Sequence, residues 1–254
     1  MLKTDFTGRV AVITGSGCAL DAALVKAFAD NGATVALCCK PTDRPSCEAL
    51  AGCADNVKIF DLYLGDFTSI PAVFSEIMNA FGRIDVLVNN PMGAFVDTER
   101  VPLHETDLNK FITVTNEWFK GMMRFSKLCA GQMREQMKGS IVNIMSIRGI
   151  TAVADQSITV GVSAGIHGMT RMWGVEMRDW NIRANGIAVG VLEDEPELEC
   201  GNAVRFSHAN VKRPCTVEEA ASAVVFLASD AASYITGTVV PVDGGITAGS
   251  ARSF

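Results

Sequence analysis

Ser140-Ile-Val-Asn-Ile-Met-Ser146-Ile-Arg-Gly149 is a mostly apolar run that breaks at a serine and ends at a glycine. Such a run reads as a strand buried on both faces that stops in a polar turn. Helical spacing follows from about Thr159 to Met172. Strand, turn and helix make up most of a crossover unit, and similar units recur on both sides.

Toward the N-terminus, Arg9–Thr14, Thr34–Cys39, Val57–Leu62 and Ile84–Val88 read as strands. Leu20–Asn31, stopped at Gly32, and Ile70–Phe81, closed by Gly82, read as helices. Pro41–Ala54 reads as a loop with a short helix, and Leu103–Gln136 holds long helical patterns. Beyond the Ile141–Ile144 strand come a Thr159–Trp180 helix and an Ile182–Val191 strand. Glu193–Arg213 is acidic and irregular, and a Val217–Leu227 helix and Val239–Val242 strand close the pattern. Strands alternate with helices without linker or repeat, which predicts one α/β domain over 1–254. Its expected architecture is a Rossmann-type, doubly wound, seven-stranded parallel sheet.

The composition agrees, since 48% hydrophobic residues in 254 suffice for the core of one large domain. A net charge of −6 argues against nucleic acid or an anionic membrane surface as a partner. No apolar run reaches the roughly 18–20 residues of a membrane span. Met1–Arg9 runs into a strand without an apolar signal segment, so a cytoplasmic location is expected. Cys18, Cys38, Cys39, Cys47, Cys53, Cys129, Cys200 and Cys215 have no C-x-x-C or metal-ligand spacing. They are expected to be reduced and structural, and no metal site is expected.

Several segments resemble the short-chain dehydrogenase/reductase family. They are Asp85-Val-Leu-Val-Asn-Asn90, Ser146-x-x-Gly149, Ile182-Arg-Ala-Asn185, Tyr234-Ile-Thr-Gly237 and Val242-Asp-Gly-Gly245. The likeness covers essentially the whole chain, and it implies an NAD(P)-linked alcohol dehydrogenase fold. In that family a Tyr-x-x-x-Lys helix begins thirteen residues after the catalytic Ser. Here Ser146 matches the Ser, but Thr159 and Ser163 fall at the Tyr and Lys positions. The family's Asn has Asn116 as its nearest match, with Thr115 and Trp118 competing if a helix length change intervenes.

The substitutions matter chemically. A phenol beside an ammonium has its pKa drawn down from about 10 toward neutrality, and can then pass a proton to a carbonyl. An aliphatic hydroxyl cannot, and losing such a group typically removes about 10²–10⁴ in rate. His167, on the Thr159–Ser163 stripe, is the best alternative base, although it lies toward the far end. Arg148 could bind an anion or simply form a charged rim. The resemblance thus leaves no catalytic residue expected and makes Ser146 vestigial.

The cofactor motifs depart as well. The family's Thr-Gly-x-x-x-Gly-x-Gly turn reads Thr14-Gly15-Ser16-Gly17-Cys18-Ala19-Leu20-Asp21, leaving only Gly15 in register. Asp21 places a carboxylate near a helix N-terminus, where phosphate would otherwise be attracted; alternatively it faces solvent. Cys39 stands where an acidic residue would hold the NAD ribose, and Lys40 either favours NADP or is a solvated strand-end charge. Asp61 matches an adenine-contacting Asp. Asn89 and Asn90 match the family's Asn-Asn pair, but Pro91-Met92 puts close backbone approach in doubt. Asp194 falls at or beside a Thr that contacts the nicotinamide carboxamide. Gly15, Asp61 and Asn89 are the cofactor-binding candidates if the site is retained.

Two expectations follow. In one, this chain binds no cofactor and is the non-catalytic subunit of a heterotetramer with an active paralogue that carries NAD or NADP. In the other, it is a divergent active oxidoreductase, with homo-oligomers as the alternative assembly. Family members pair through helices that here span about 103–136 and 159–180, and through about 217–245. Phe111, Trp118, Phe119, Met122, Met123, Phe125, Met169, Met172 and Trp173 make those helices apolar on more than one side, as an interface or an ordinary core would.

Overall fold

The computed structural model describes residues 4–51, 56–93, 100–193 and 209–249. Seven parallel strands form one sheet in the order β3-β2-β1-β4-β5-β6-β7. They are β1 Val10–Thr14, β2 Thr34–Cys39, β3 Val57–Asp61, β4 Val86–Asn89, β5 Gly139–Ser146, β6 Ile182–Val189 and β7 Val239–Val242. Every residue of β1, β4 and β5 is buried, because helices cover both faces of the sheet.

The crossovers are α1 Ala19–Asp30, α2 Arg44–Ala51, α3 Ile70–Phe81, α4 Leu108–Thr115, α5 Met122–Glu135, α6 Ser157–Glu176 and α7 Val217–Ala228. Pattern and structure agree within about two residues at most boundaries. The differences have local causes. The fifth strand extends in both directions because Gly139 and Ser140 pair with Ile182 and Arg183 at one end, and Met145 and Ser146 with Ala188 and Val189 at the other. The Leu103–Gln136 pattern is not continuous: a π-helical turn, Asn116–Gly121, joins α4 to α5. Gly121 meets the backbone of Leu64 there, and any side chain at 121 would overlap the Leu64 carbonyl.

Ile182-Arg-Ala-Asn185 proves to be a structural clamp. The Arg183 guanidinium donates to the carbonyls of Leu227, Ala228, Ser229 and Ile235, the first two in the last turn of α7. Asn185 donates to the Ile235 carbonyl and accepts from the Thr238 N–H. Gly237, at φ +71°, is packed against Gly174 of α6 with no room for a side chain on the helix. At the other end of α7, the Thr216 hydroxyl accepts from the Glu219 N–H, and the Glu219 carboxylate accepts from the Thr216 N–H. Arg213 pairs with Glu219 and, with those bonds, draws its pKa down to about 2.

Among the described residues no helix is long and apolar enough to cross a membrane. Cys18, Cys38, Cys39, Cys47, Cys129 and Cys215 are free thiols; Cys53 and Cys200 lie outside the described residues. Burial pushes the Cys38 and Cys129 thiols well above their ordinary range, which keeps them protonated and inert.

Candidate cofactor and catalytic crevice

Strand order reverses between β1 and β4, so the loops leaving their C-terminal ends diverge. In a doubly wound sheet that divergence opens the ligand crevice. Here it is spanned by a hydrogen bond of the protein itself. From α1, the Asp21 Oδ1 accepts from Asn90 Nδ2 at 2.8 Å, Asn90 being the residue after β4.

The other carboxylate oxygen, Asp21 Oδ2, accepts three successive main-chain N–H groups. Ser16 and Gly17 donate at 2.9 Å and Cys18 at 3.1 Å. Asp21 is 0% exposed, so the solvent-facing alternative is excluded. A Cβ on Gly15 would overlap the Asp21 carboxyl, so the openness of that glycine is used by the aspartate. Burial raises the Asp21 pKa, with Asn90 and the main-chain donors pulling against it. A dinucleotide would need those same N–H groups for its pyrophosphate. The residues present do not fit that group.

The opposite wall closes too. Doubt about backbone approach after Pro91-Met92 is resolved by Gly93, which lies so close to Ser16 that a Cβ would overlap its hydroxyl. The partner, however, is the protein's own loop. Asn89 does not reach the crevice: it donates to Ser126 Oγ and Asn143 Oδ1, and Asn143 donates to Thr170 Oγ1. This buried chain ties β4 through β5 to α6. Asn89 Oδ1 is buried without a hydrogen-bond partner among the described residues.

At the far side of β1, Lys40 is a half-buried, paired strand-end charge. Its Nζ lies 2.9 Å from Glu117 Oε1 and 5.4 Å from the Tyr63 ring centroid. Glu117 belongs to the π-helical turn, so this pair ties the end of β2 to the α4–α5 segment. Burial raises the Glu117 pKa, and Lys40 partly counteracts it. Asp61 ends β3 in an ion pair with Arg44 at 2.7 Å. Nothing in the sequence pattern singled out Glu117, because a Glu within helical spacing reads as an exposed residue.

The catalytic positions are close together. Ser146 ends β5, and its Oγ accepts from the Arg148 N–H at 3.3 Å. The Ser146 main-chain N–H donates to Ser163 Oγ, also at 3.3 Å. Thr159 is 1% exposed and Ser163 0%. A Cβ on Gly149 would lie 2.6 Å from Ser163 Cβ and 2.7 Å from the Ala164 nitrogen, so the turn after β5 lies flat on α6. At the position of the family's Lys, Ser163 is buried and its hydroxyl is engaged by the Ser146 N–H. His167 is half-buried one turn further on, and Asn116 is half-buried at the start of the π-helical turn. Thr115 Oγ1 and Trp118 Nε1 are buried and unpartnered among the described residues. The extra residue of a π-turn shifts helical register, which is why sequence alone could not choose among these three. Asp194 lies outside the described residues, which contain no cluster of metal-ligating side chains.

Comparisons with known proteins agree with this architecture. The profile of a family described as Enoyl-(Acyl carrier protein) reductase matches residues 16–247. The chain is 33% identical over 246 residues to the 3-oxoacyl-[acyl-carrier-protein] reductase FabG of Thermotoga maritima, covering 94% of this chain and 98% of that protein. It is 32% identical over 252 residues to cis-4-hydroxycyclohexanecarboxylate dehydrogenase of Sinomonas cyclohexanicum, covering 96% and 98%. The crystal structure of levodione reductase superposes with a TM-score of 0.85 at 29% identity, covering 96% of this chain and 99% of that one.

Proposed function

The chain belongs to the short-chain dehydrogenase/reductase family, and from that premise we propose that it is a catalytically degenerate subunit of a hetero-oligomeric NAD(P)-dependent alcohol dehydrogenase. Its role is to support an active paralogue that carries the cofactor and performs the hydride transfer. The observation that carries this reading is the packing at Thr159 and Ser163. Both are buried, neither side chain supplies an ionisable proton donor, and the Ser163 hydroxyl is engaged by the Ser146 main-chain N–H.

The surfaces available for assembly are apolar. Leu108, Phe111 and Ile112 on α4, Met123 on α5, and Met172 and Val175 on α6 are exposed. Trp118, Met122, Phe125, Met169 and Trp173, by contrast, belong to the core, so only part of the apolar excess read from the sequence is surface. Phe226 of α7 and Val240 of β7 extend the apolar surface at the C-terminal side. The assembly it would resemble is 2-[hydroxy(phenyl)methyl]succinyl-CoA dehydrogenase, with a 3-hydroxyacyl-CoA as the partner's substrate. Co-expression with a genomically adjacent intact paralogue tests the proposal. Expected are a stable complex, turnover that depends on the paralogue's Tyr, and no turnover by this chain alone. Separate purification of the two, with the paralogue fully active alone, refutes it.

A second reading is favoured by the relatives named as reductases and dehydrogenases, which align nearly end to end. In it the chain is a divergent NAD(P)-dependent oxidoreductase acting on a hydroxy or keto substrate without the Tyr-Lys pair. Titration of the isolated chain with NADH and NADPH separates the two, since tight binding with turnover supports only the second.

A further inference from the structure

We propose that Asp21 is a built-in anion that occupies the chain's own diphosphate cradle, and that removing its carboxylate opens the cradle to a diphosphate-class ligand. This inference rests on the fold and the cradle geometry, not on the missing acid–base pair. It can therefore fail while the proposed role stands, and the reverse.

The cradle itself is formed. Three consecutive N–H groups at the start of α1 converge on one oxygen, the geometry of a main-chain anion nest. The helix N-terminus adds its positive end. Independently, the same carboxylate bridges to Asn90 across the point where the strand order reverses. One fully buried acidic side chain thus sits where a ligand of this fold would, holding the donors such a ligand would take. The aspartate side chain has the right length for this, because Asp21 lies in the third position of α1, from which a carboxylate reaches back to the residue preceding the helix. Gly15 makes the room, and the loop after β4 covers the result.

An ionised Asp21 repels an incoming phosphate as well as displacing it. For unit charges about 4 Å apart the repulsion corresponds to roughly five- to a thousandfold in affinity. The test uses the full chain and inorganic pyrophosphate, with Asp21→Ser emptying the cradle and Asp21→Asn keeping its shape without the charge. Binding is read by calorimetry, and amide hydrogen exchange at Ser16, Gly17 and Cys18 reports the donors directly. Asp21→Ser should bind pyrophosphate at least about tenfold more tightly than the native chain, with Asp21→Asn between them. The three amides should be slow in the native protein, fast in Asp21→Ser, and slow again when pyrophosphate is added. Folding of each variant is checked by circular dichroism, and Asp21→Asn decides alone if Asp21→Ser does not fold. Native protein that binds pyrophosphate as well as the variants, or folded variants that gain nothing, would overturn the proposal.

Discussion

Replacing Lys40 with Met removes the ammonium from a carboxylate that has nowhere to go. The Glu117 side chain is 6% exposed and that of Lys40 32%, with 2.9 Å between Nζ and Oε1. Breaking a fully buried pair by deleting one partner costs about 3–5 kcal/mol. Lys40 is partly solvated, so about 2–3 kcal/mol is expected near neutral pH. For a chain of this length that lowers the melting midpoint by roughly 4–12 °C. Glu117→Gln alone should cost under about 1 kcal/mol, because the freed lysine can turn its head to water. Lys40→Met/Glu117→Gln should accordingly recover most of the loss. The sign of the pH effect follows from the raised Glu117 pKa. A carboxyl whose folded pKa lies above its unfolded value weakens the fold once ionised, and that penalty disappears as pH falls through the folded pKa. Losing Lys40 raises that pKa further, so the gap between Lys40→Met and native protein should shrink at about pH 5. Urea denaturation at fixed protein concentration measures both gaps. An equal gap at the two pH values, or a double variant no more stable than Lys40→Met, would refute the reasoning.

Other expectations concern single residues. Asp21 has a raised pKa, so native protein should lose stability relative to Asp21→Asn as pH rises from about 4 through that value; the opposite trend in denaturation midpoints would mean that the hydrogen-bond donors outweigh burial. Ser163→Lys should destabilise by about 1–3 kcal/mol because it puts an ammonium at a buried position and leaves the Ser146 N–H without its acceptor. Thr159→Tyr/Ser163→Lys should still show no NAD(P)H turnover in a spectrophotometric assay, because Asp21 keeps the cradle's N–H groups. Arg183→Met should cost about 2–4 kcal/mol, with hydrogen exchange quickening around Leu227–Ile235. Arg183→Lys should recover only part of it, since an ammonium cannot fork across four carbonyls.

The sheet was legible because burial on both faces writes an apolar run for each strand, and turns at Gly32 and Gly82 mark the helix ends. What the pattern could not show is direction. Asp21 was legible as a carboxylate near the helix start, but whether it faced water or the loop depends on the missing side chain at Gly15. Lys40 was visible as a strand-end cation, while its partner Glu117 lay 77 residues away on a turn whose π register no periodicity announces. Asn89 kept the family letter and yet points into a core network, because Ser126 and Asn143 supply its partners there. Identity at a motif position fixes where a side chain starts, and its neighbours decide where it ends.

The residues at these positions share a physical logic. A nucleotide cradle that never meets its nucleotide leaves converging N–H groups in a closing crevice, and each unpaired buried donor costs about 1–3 kcal/mol. Asp21 satisfies three of them at once. Ser163 does the same for the Ser146 N–H. Lys40 and Glu117 neutralise one another between the end of β2 and the π-helical turn. In each case a buried or half-buried polar group is satisfied by a side chain of the protein itself. Under the proposed role, the fold is held without help from a bound nucleotide. Restoring the family residues one at a time should then lower stability before it returns any activity.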